Sequence, residues 1–344
     1  MNVARITVTT GLLFAFTSFS TLAQAPATKL KPEVEDFIAQ MVKSHRFEAP
    51  ALRQLFGQIK PHEGVIKAIR APSTAKPWHE FRQIFVTPTR TSGGVVFWNE
   101  HEEWLVRARE AFGVPEEIIV SIIGVETIYG RRLGSFRVID ALYTLGFELP
   151  ERATYFRAET EQFLLMTREN MLDPLEVKGS FAGAMGMPQF MPTSYRKYAV
   201  DFDGDGRIDL WNSTADVIGS VANYLKVFGW TWGEPVTAPA RVDGAQAAAL
   251  LQAGLKPHAN LQQMRERGAE PTEQFPQEAA QDIKAGLFTL EAVEGPEYHL
   301  AFNNFYVITR YNRSRNYAMA VHQLAEAIAR ERDSQRASQS ALNP

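Results

Sequence analysis

Glu126 is the residue of this 344-residue chain whose surroundings most suggest chemistry. It stands in Ile122-Ile123-Gly124-Val125-Glu126-Thr127-Ile128-Tyr129-Gly130, near the end of the most apolar helical segment of the sequence. Withdrawing an unpaired carboxylate from water disfavours its charged form and raises its pKa. An acid that stays protonated near neutrality is what protonation of a glycosidic oxygen requires. The alternative is a buried Glu that caps a loop or pairs with Arg131 or Arg132. A two-carboxylate glycosidase needs a partner, and none is evident. Asp140 is nearest in sequence but reads better as the N-cap of the following helix. Asp173 precedes Pro174, a common turn arrangement. A lone acid requires help from the substrate itself.

The second feature is Asp201-Phe202-Asp203-Gly204-Asp205-Gly206-Arg207-Ile208-Asp209. Asp at loop positions 1, 3 and 5, Gly at 6, an aliphatic residue at 8 and Asp at 9 match the calcium loop of an EF-hand. Arg207 would contribute its backbone carbonyl. Asn212 stands at position 12, where a bidentate Glu is expected, and Asp216 closes the sphere if the loop is longer. Asp216 also reads as a capping-box partner of Ser213, and the whole loop as a metal-free Asp–Gly turn. A calcium sensor usually carries paired loops, and only one is present; because this loop lies after the segments that could do chemistry, a bound ion is expected to stabilise rather than to catalyse.

Composition removes other chemistries. The chain has no cysteine, which excludes disulfides, thiol nucleophiles, cysteine-ligated zinc or iron–sulfur centres and lipid attachment through cysteine. A net charge of −3 offers no basic excess for nucleic acid. His79-Glu80 and His101-Glu102 lack a second His four residues on, so a zincin motif is absent, as are G-x-S-x-G, P-loop and dinucleotide fingerprints. Tyr129, Tyr155, Phe190, Tyr195, Tyr224, Tyr311 and Tyr317 are aromatics on which a sugar could stack, although at helical spacing most aromatics are core.

The elements that must position these residues are mainly helical. Residues 32–70 repeat apolar positions at helical spacing, punctuated by Pro50 and Pro61. Residues 71–77 read as a connector, 78–85 as a short segment and 87–94 as a loop. A long helix is expected from about Val95 to Phe112. Pro115-Glu116-Glu117 signals a helix start, and Ile118–Val125 is apolar on nearly every side, as in a helix buried all round. Further helices are expected over 138–145, 152–171 and 216–228, with a Gly- and Met-rich loop over 179–192. Residues 235–300 turn polar and Pro-rich with β-like runs. Phe305–Thr309 resembles a strand, 317–328 a final helix, and the polar residues from Glu331 a frayed end. The fold class is mainly α, with a small β-containing insertion.

The first residues read as a leader. Arg5 is their only charge, an apolar stretch runs from Thr10 to Phe19, and Ala23-Gln24-Ala25 fits a cleavage site. A membrane anchor is the weaker alternative, because Thr and Ser interrupt a run already short for a span.

Five blocks resemble one family. They are Gly124-Val125-Glu126-Thr127; the run from Gly179 through Ser180 to Gly186 with Pro188-Gln189-Phe190-Met191-Pro192; the Asp-rich loop running into Asp209-Leu210-Trp211; Gly219–Leu225; and Ile308-Thr309-Arg310-Tyr311-Asn312. Together they are similar to the membrane-bound lytic murein transglycosylase B family, in order and over nearly the whole chain beyond the leader. The resemblance implies a lysozyme-like core over 95–232 plus 302–330, an N-terminal helical domain over 26–94 and a small β-containing domain over 233–301; the tail over 331–344 is read as frayed from its polar composition. It implies peptidoglycan glycan strands as substrate and cleavage between N-acetylmuramic acid and N-acetylglucosamine, with a 1,6-anhydro product and Glu126 as single acid/base. Substrate-contacting positions carried over are Ser180, Gln189, Arg152, Tyr155, Tyr224, Tyr311, Asn312 and Tyr317, with Phe81 where some members have Tyr. A structural calcium ion is implied at Asp201, Asp203, Asp205, Arg207 and Asp216. Familiar members are lipoproteins; a cysteine-free chain resembles the soluble periplasmic variants instead. The expected protein is an exported monomer without a stable membrane anchor, acting on the wall, with other cell-wall enzymes as candidate partners. The alternatives are an idle peptidoglycan-binding scaffold and an ordinary hydrolase on the same fold.

Overall fold

The computed structural model describes residues 29–70, 76–243, 247–272, 274–275 and 282–342. The expected leader, residues 1–25, lies outside them. The chain divides into two compact units between Gln58 and Ile59, earlier than the expected change near residue 94. The first holds helices α1 (Pro32–His45) and α2 (Ala49–Gly57). Phe37 and Phe56 meet edge to face across them, with ring centroids 5.9 Å apart.

The second unit contains α3 (Glu63–Arg70), α4 (Trp78–Phe85), α5 (Pro88–Glu100), α6 (Glu102–Phe112) and α7 (Glu116–Thr127). Then come β1 (Phe136–Arg137), α8 (Val138–Phe147), α9 (Ala153–Glu169), β2 (Lys178–Gly179), α10 (Pro192–Tyr198) and α11 (Thr214–Val227). The insertion comprises β3 (Thr237–Val242), α12 (Ala247–Ala253), β4 (Ala259–Asn260), α13 (Leu261–Glu266), β5 (Ala269–Pro271), β6 (Lys284–Ala292) and β7 (Gly295–Ala301). Helices α14 (Asn303–Tyr311) and α15 (Arg315–Leu342) end the described chain.

Helix α7 is apolar all round because α5, α6, α11 and α15 pack against it from different sides. Ile119, Val120, Ile122 and Ile123 have no exposed surface. Burying each such side chain contributes roughly 1.5–3 kcal/mol, so the helix that carries Glu126 is among the most firmly held in the molecule. The Ser121 hydroxyl in its middle donates to the Val321 carbonyl at 2.6 Å and is satisfied.

The insertion is an antiparallel sheet of order β4-β6-β7-β3-β5. The β6–β7 hairpin sets its register, with Leu287 opposite Leu300 and Thr289 opposite Tyr298. Leu250, Leu261, Met264, Leu287 and Leu300 form a small core of their own beneath it.

Four expectations are corrected. Residues 87–94 are not a loop; Pro88 opens α5, and Thr87 caps it by accepting from the Arg90 amide. The helix expected from 95 to 112 is therefore two, broken at His101, whose backbone leaves the helical region (φ −122°, ψ 25°). Residues 305–309 are helical, within α14, although their apolar and β-branched composition reads as strand; tertiary packing of Phe305, Val307 and Ile308 overrides propensity. The polar tail does not fray but continues α15 to Leu342.

Candidate active site

Glu126 sits in the last turn of α7, where the helix stops abruptly. Ile128, Tyr129 and Gly130 all adopt left-handed backbone, with φ of 53°, 58° and 82°. Each non-glycine residue in that region costs roughly 1–2 kcal/mol, so surrounding contacts must hold the turn. Two sets of contacts do. Thr127 Oγ1 donates to the Met187 carbonyl at 2.9 Å and accepts from the Gly130 amide at 3.1 Å. The Tyr129 hydroxyl donates to the Arg90 carbonyl of α5 at 2.6 Å.

The Glu126 side chain is only partly buried, so it borders a surface that substrate can reach. Its carboxyl is nonetheless pushed up to about 7, first by desolvation, against which the Tyr317 hydrogen bond acts in the lowering direction. The Tyr317 hydroxyl donates to Glu126 Oε1 at 2.6 Å. Tyr317, rather than Arg131 or Arg132, is thus its partner. Among the described residues no acidic neighbour contributes to the shift. Asp140 is not an N-cap as expected: α8 begins at Val138, and Arg137 holds both Asp140 oxygens, at 2.8 and 2.7 Å.

A row of aromatic rings leads away from the carboxyl. Tyr317 stacks on Tyr311, whose ring is 4.8 Å from that of Tyr224, and Phe190 packs on both Tyr311 and Tyr224. The Tyr311 hydroxyl donates to the Pro188 carbonyl at 2.6 Å. Together with the Thr127 bond to Met187, this pins the Gly-rich loop from two sides and brings Gln189 into the site. Gln189 itself has a left-handed backbone (φ 51°) and uses its side-chain amide nitrogen on the Gly186 carbonyl at 2.9 Å. Its amide oxygen remains as the acceptor a ligand could use. Gly186 has to be glycine: a Cβ there would lie 2.5 Å from the Leu210 carbonyl oxygen, at a φ of 68°. Ser180 organises the same loop, its Oγ accepting from the Ala184 amide at 3.0 Å.

The remaining expected contacts differ in placement. Tyr224 is 6% exposed, and its hydroxyl donates to the Arg310 carbonyl, so it supports the row from beneath. Asn312 follows α14 on extended backbone beside Tyr311. Arg152 and Tyr155 line a surface cleft with Glu151 and Thr154, and Tyr155 is 51% exposed. Phe81 is corrected: at 1% exposure, packed on Phe85, it is core and has no surface for a sugar.

The Asp loop brings three of its carboxylates together. Asp201, Asp203 and Asp205 each offer an oxygen, all within 4.8 Å of one another. Calcium binds oxygens at 2.3–2.6 Å, so ligands around one ion stand up to about 5 Å apart, and the cluster fits. Asp216 is 1% exposed and ties the loop together, accepting from the Phe202 amide at 2.7 Å and from the Asp209 amide at 2.8 Å. The Asp203 amide also bonds to it, so three of the roughly four lone-pair sites of the carboxylate are taken and one remains for a ligand. Ser213 accepts from the Asp216 amide and caps α11, so the capping role is real but only half of a capping box. Asn212 turns to Asp209 instead of toward the cluster.

In the sequence Arg90 belongs to no motif and Tyr129 reads as one of several generic aromatics. The available signal was three glycines, Gly93, Gly94 and Gly124, inside helices. A Cβ at Gly94 or Gly124 would come within 2.6 or 2.4 Å of the Tyr129 hydroxyl oxygen.

A mainly helical, lysozyme-like fold with one protonatable Glu at the end of its central helix defines the class: a glycan-cleaving enzyme. More narrowly, the chain belongs to the Transglycosylase SLT domain family, which it matches over residues 29–326. It is 46% identical over 308 residues to the membrane-bound lytic murein transglycosylase B of Escherichia coli, across 87% of this chain and 83% of that protein. The soluble lytic transglycosylase SltB1 of Pseudomonas aeruginosa superposes with a TM-score of 0.80 at 48% identity, over 88% of this chain and all of that one. An Escherichia coli lytic transglycosylase solved in complex with calcium superposes with a TM-score of 0.79 at 46% identity, over 88% and 94% of the two chains.

Proposed function

We propose that this protein cleaves the β-1,4 bond between N-acetylmuramic acid and N-acetylglucosamine in peptidoglycan, with Glu126 as the only acid/base. The observation that carries this reading is the Glu126 carboxyl, held up to about 7 by desolvation with Tyr317 as its hydrogen-bond partner and no acidic neighbour. Near neutrality a large fraction is protonated and able to donate. In the first step the proton passes from Glu126 to the glycosidic oxygen as the bond to C1 of the muramic sugar breaks. Then the carboxylate takes the proton of that sugar's own 6-hydroxyl as O6 bonds to C1. The products are a free 4-hydroxyl on one fragment and a 1,6-anhydro end on the other, and Glu126 is protonated again. No water is consumed, so no second carboxylate is needed to activate one.

The substrate strand is proposed to lie along the surface over the aromatic row. Ser180, Gln189, Asn312, Tyr311, Arg152 and Tyr155 present polar groups to it, while Tyr224 and Tyr317 act from beneath. Calcium is proposed at Asp201, Asp203 and Asp205, with the Arg207 carbonyl and Asp216 completing the sphere. The relative that binds calcium supports this. The ion would neutralise clustered carboxylates and stiffen the segment that follows the Gly-rich loop. An exported, periplasmic location is proposed from the leader; among the described residues no helix is long and apolar enough to cross a membrane.

The test is digestion of purified peptidoglycan followed by mass spectrometry. Anhydro muropeptides, one water lighter than the hydrolytic products, are expected, and Glu126→Gln is expected to release none. Reducing muramic ends from the wild type would make the protein a hydrolase, and undiminished release by the Gln variant would remove Glu126 from the chemistry.

A further inference from the structure

We infer that Tyr129 is a positioning residue for Glu126, acting through a clasp between the left-handed turn after α7 and the glycines of α5. The inference rests on Glu126 being the acid/base group. Three independent contacts define the clasp. The Tyr129 hydroxyl donates to the Arg90 carbonyl at 2.6 Å. Arg90 returns its side chain across the same gap, Nε donating to the Gly124 carbonyl at 3.1 Å, while Nη1 is held on its own side by the Ile84 carbonyl of α4 at 2.7 Å. The Tyr129 ring stacks on Phe97 at 5.5 Å and fills the space left by Gly93, Gly94 and Gly124.

Gly124 lies two residues before Glu126 and Tyr129 three residues after it. The clasp thus grips α7 on both sides of the acid. Gly124 also terminates the helix, since its carbonyl accepts from the Ile128 amide as well as from Arg90. Tyr129 occupies backbone that a non-glycine residue leaves when it is free to do so. With its hydroxyl anchored to α5, the turn is held in place, and the last turn of α7, which carries Glu126, is kept from fraying away from Tyr317. The anchor therefore maintains two quantities that the chemistry uses: the 2.6 Å contact to Tyr317 and the desolvation of the carboxyl. Tyr317 and Tyr311 are the titratable groups whose own ionisation senses Glu126; both are neutral at the working pH, since burial pushes both phenols well above their ordinary value.

The experiment uses the full chain with Tyr129→Phe, which keeps the ring and removes only the anchor, and Gly124→Ala, which drives a methyl against the Tyr129 hydroxyl. Measured on glycan strands, kcat is expected to fall roughly tenfold in each with KM within about twofold. The alkaline limb of the pH profile is expected to move to lower pH as water reaches Glu126. The Glu126 carboxyl is titrated in parallel by carbon-13 NMR in the wild type and in Tyr129→Phe, and its midpoint is expected to fall. That titration needs no turnover, so it tests the clasp even if the wild type fails to cut peptidoglycan, the outcome that would sink the catalytic reading instead. A Tyr129→Phe variant that melts lower but keeps kcat, the alkaline limb and the NMR midpoint would make the clasp merely structural and overturn the inference.

Discussion

A carboxyl raised from an ordinary 4.5 to about 7 on folding suits the proposed proton transfer and is also a liability. Between those values the folded state binds a proton that the unfolded chain has released. The Glu126 contribution is therefore fully present below about pH 4.5 and is lost as pH rises through about 7. At pH 8 the native state carries a desolvated charge, at a cost of up to about 3 kcal/mol by linkage, reduced because the side chain is only partly buried. Glu126→Gln removes the titration while its amide oxygen still accepts from Tyr317. The Gln variant is expected to be more stable than the wild type at pH 8 by roughly 1–3 kcal/mol, with the difference shrinking toward pH 4.5. Urea unfolding at several pH values checks this. Equal stability at pH 8 would mean that Glu126 is not held in a desolvating site.

At the scale of elements, the Asp loop is the part whose stability should depend on an ion. Asp201 accepts from the amides of Gly204, Asp205 and Gly206, and Asp203 accepts from the Ser213 hydroxyl, so the loop is partly preformed. Crowded carboxylates still repel, and a cation that binds only the native state stabilises it by about 2.7 kcal/mol at a hundredfold excess over Kd. Chelator is expected to lower the melting temperature and added calcium to restore it, with Asp203→Asn blunting both responses. A melting temperature indifferent to chelator and calcium would remove calcium from the loop. This element was legible in the sequence because its signal is local: side-chain type at fixed offsets. The same holds for α7, whose apolar run and Pro-Glu-Glu start are local signals. Helix α5 was not legible, because Gly93 and Gly94 oppose helix formation and are explained only by Tyr129 and Ile328, distant in sequence, which occupy the space their side chains would take. Resemblance marks Tyr317 as a substrate contact, but its bond to Glu126 was not legible, since 191 residues separate the two and no periodicity connects them.

At the scale of the molecule, α15 decides how the catalytic unit is closed. It packs along α4, α5, α7 and β6, so one helix spans both the helical core and the inserted sheet. Composition made its end look dispensable, because residues from Glu331 onward are largely charged or polar. One of them is not at the surface. Arg332 is 5% exposed; its guanidinium lies 4.3 Å from the Trp98 ring centroid and donates to Asn99 Oδ1 at 2.9 Å and Glu102 Oε1 at 2.7 Å. Arg336 shares Glu102 at 2.6 Å. These contacts bind the last turns of α15 to the junction at His101, where α5 gives way to α6. Glu102 is half exposed, so the ion pairs alone are worth little; the cation–π contact, the Asn99 bond and the packed aliphatic stem make up most of the term. Arg332→Ala is expected to cost about 2 kcal/mol, and ending the chain after Arg330 somewhat more, read as a melting temperature lower by several degrees. Glu126 and its aromatic row are contributed by other turns, so kcat at 25 °C should be unchanged in both variants. A truncated chain that melts with the wild type would show that the tail adds nothing to the fold. One that loses kcat without melting earlier would place the last turns of α15 in the catalytic machinery rather than in its support.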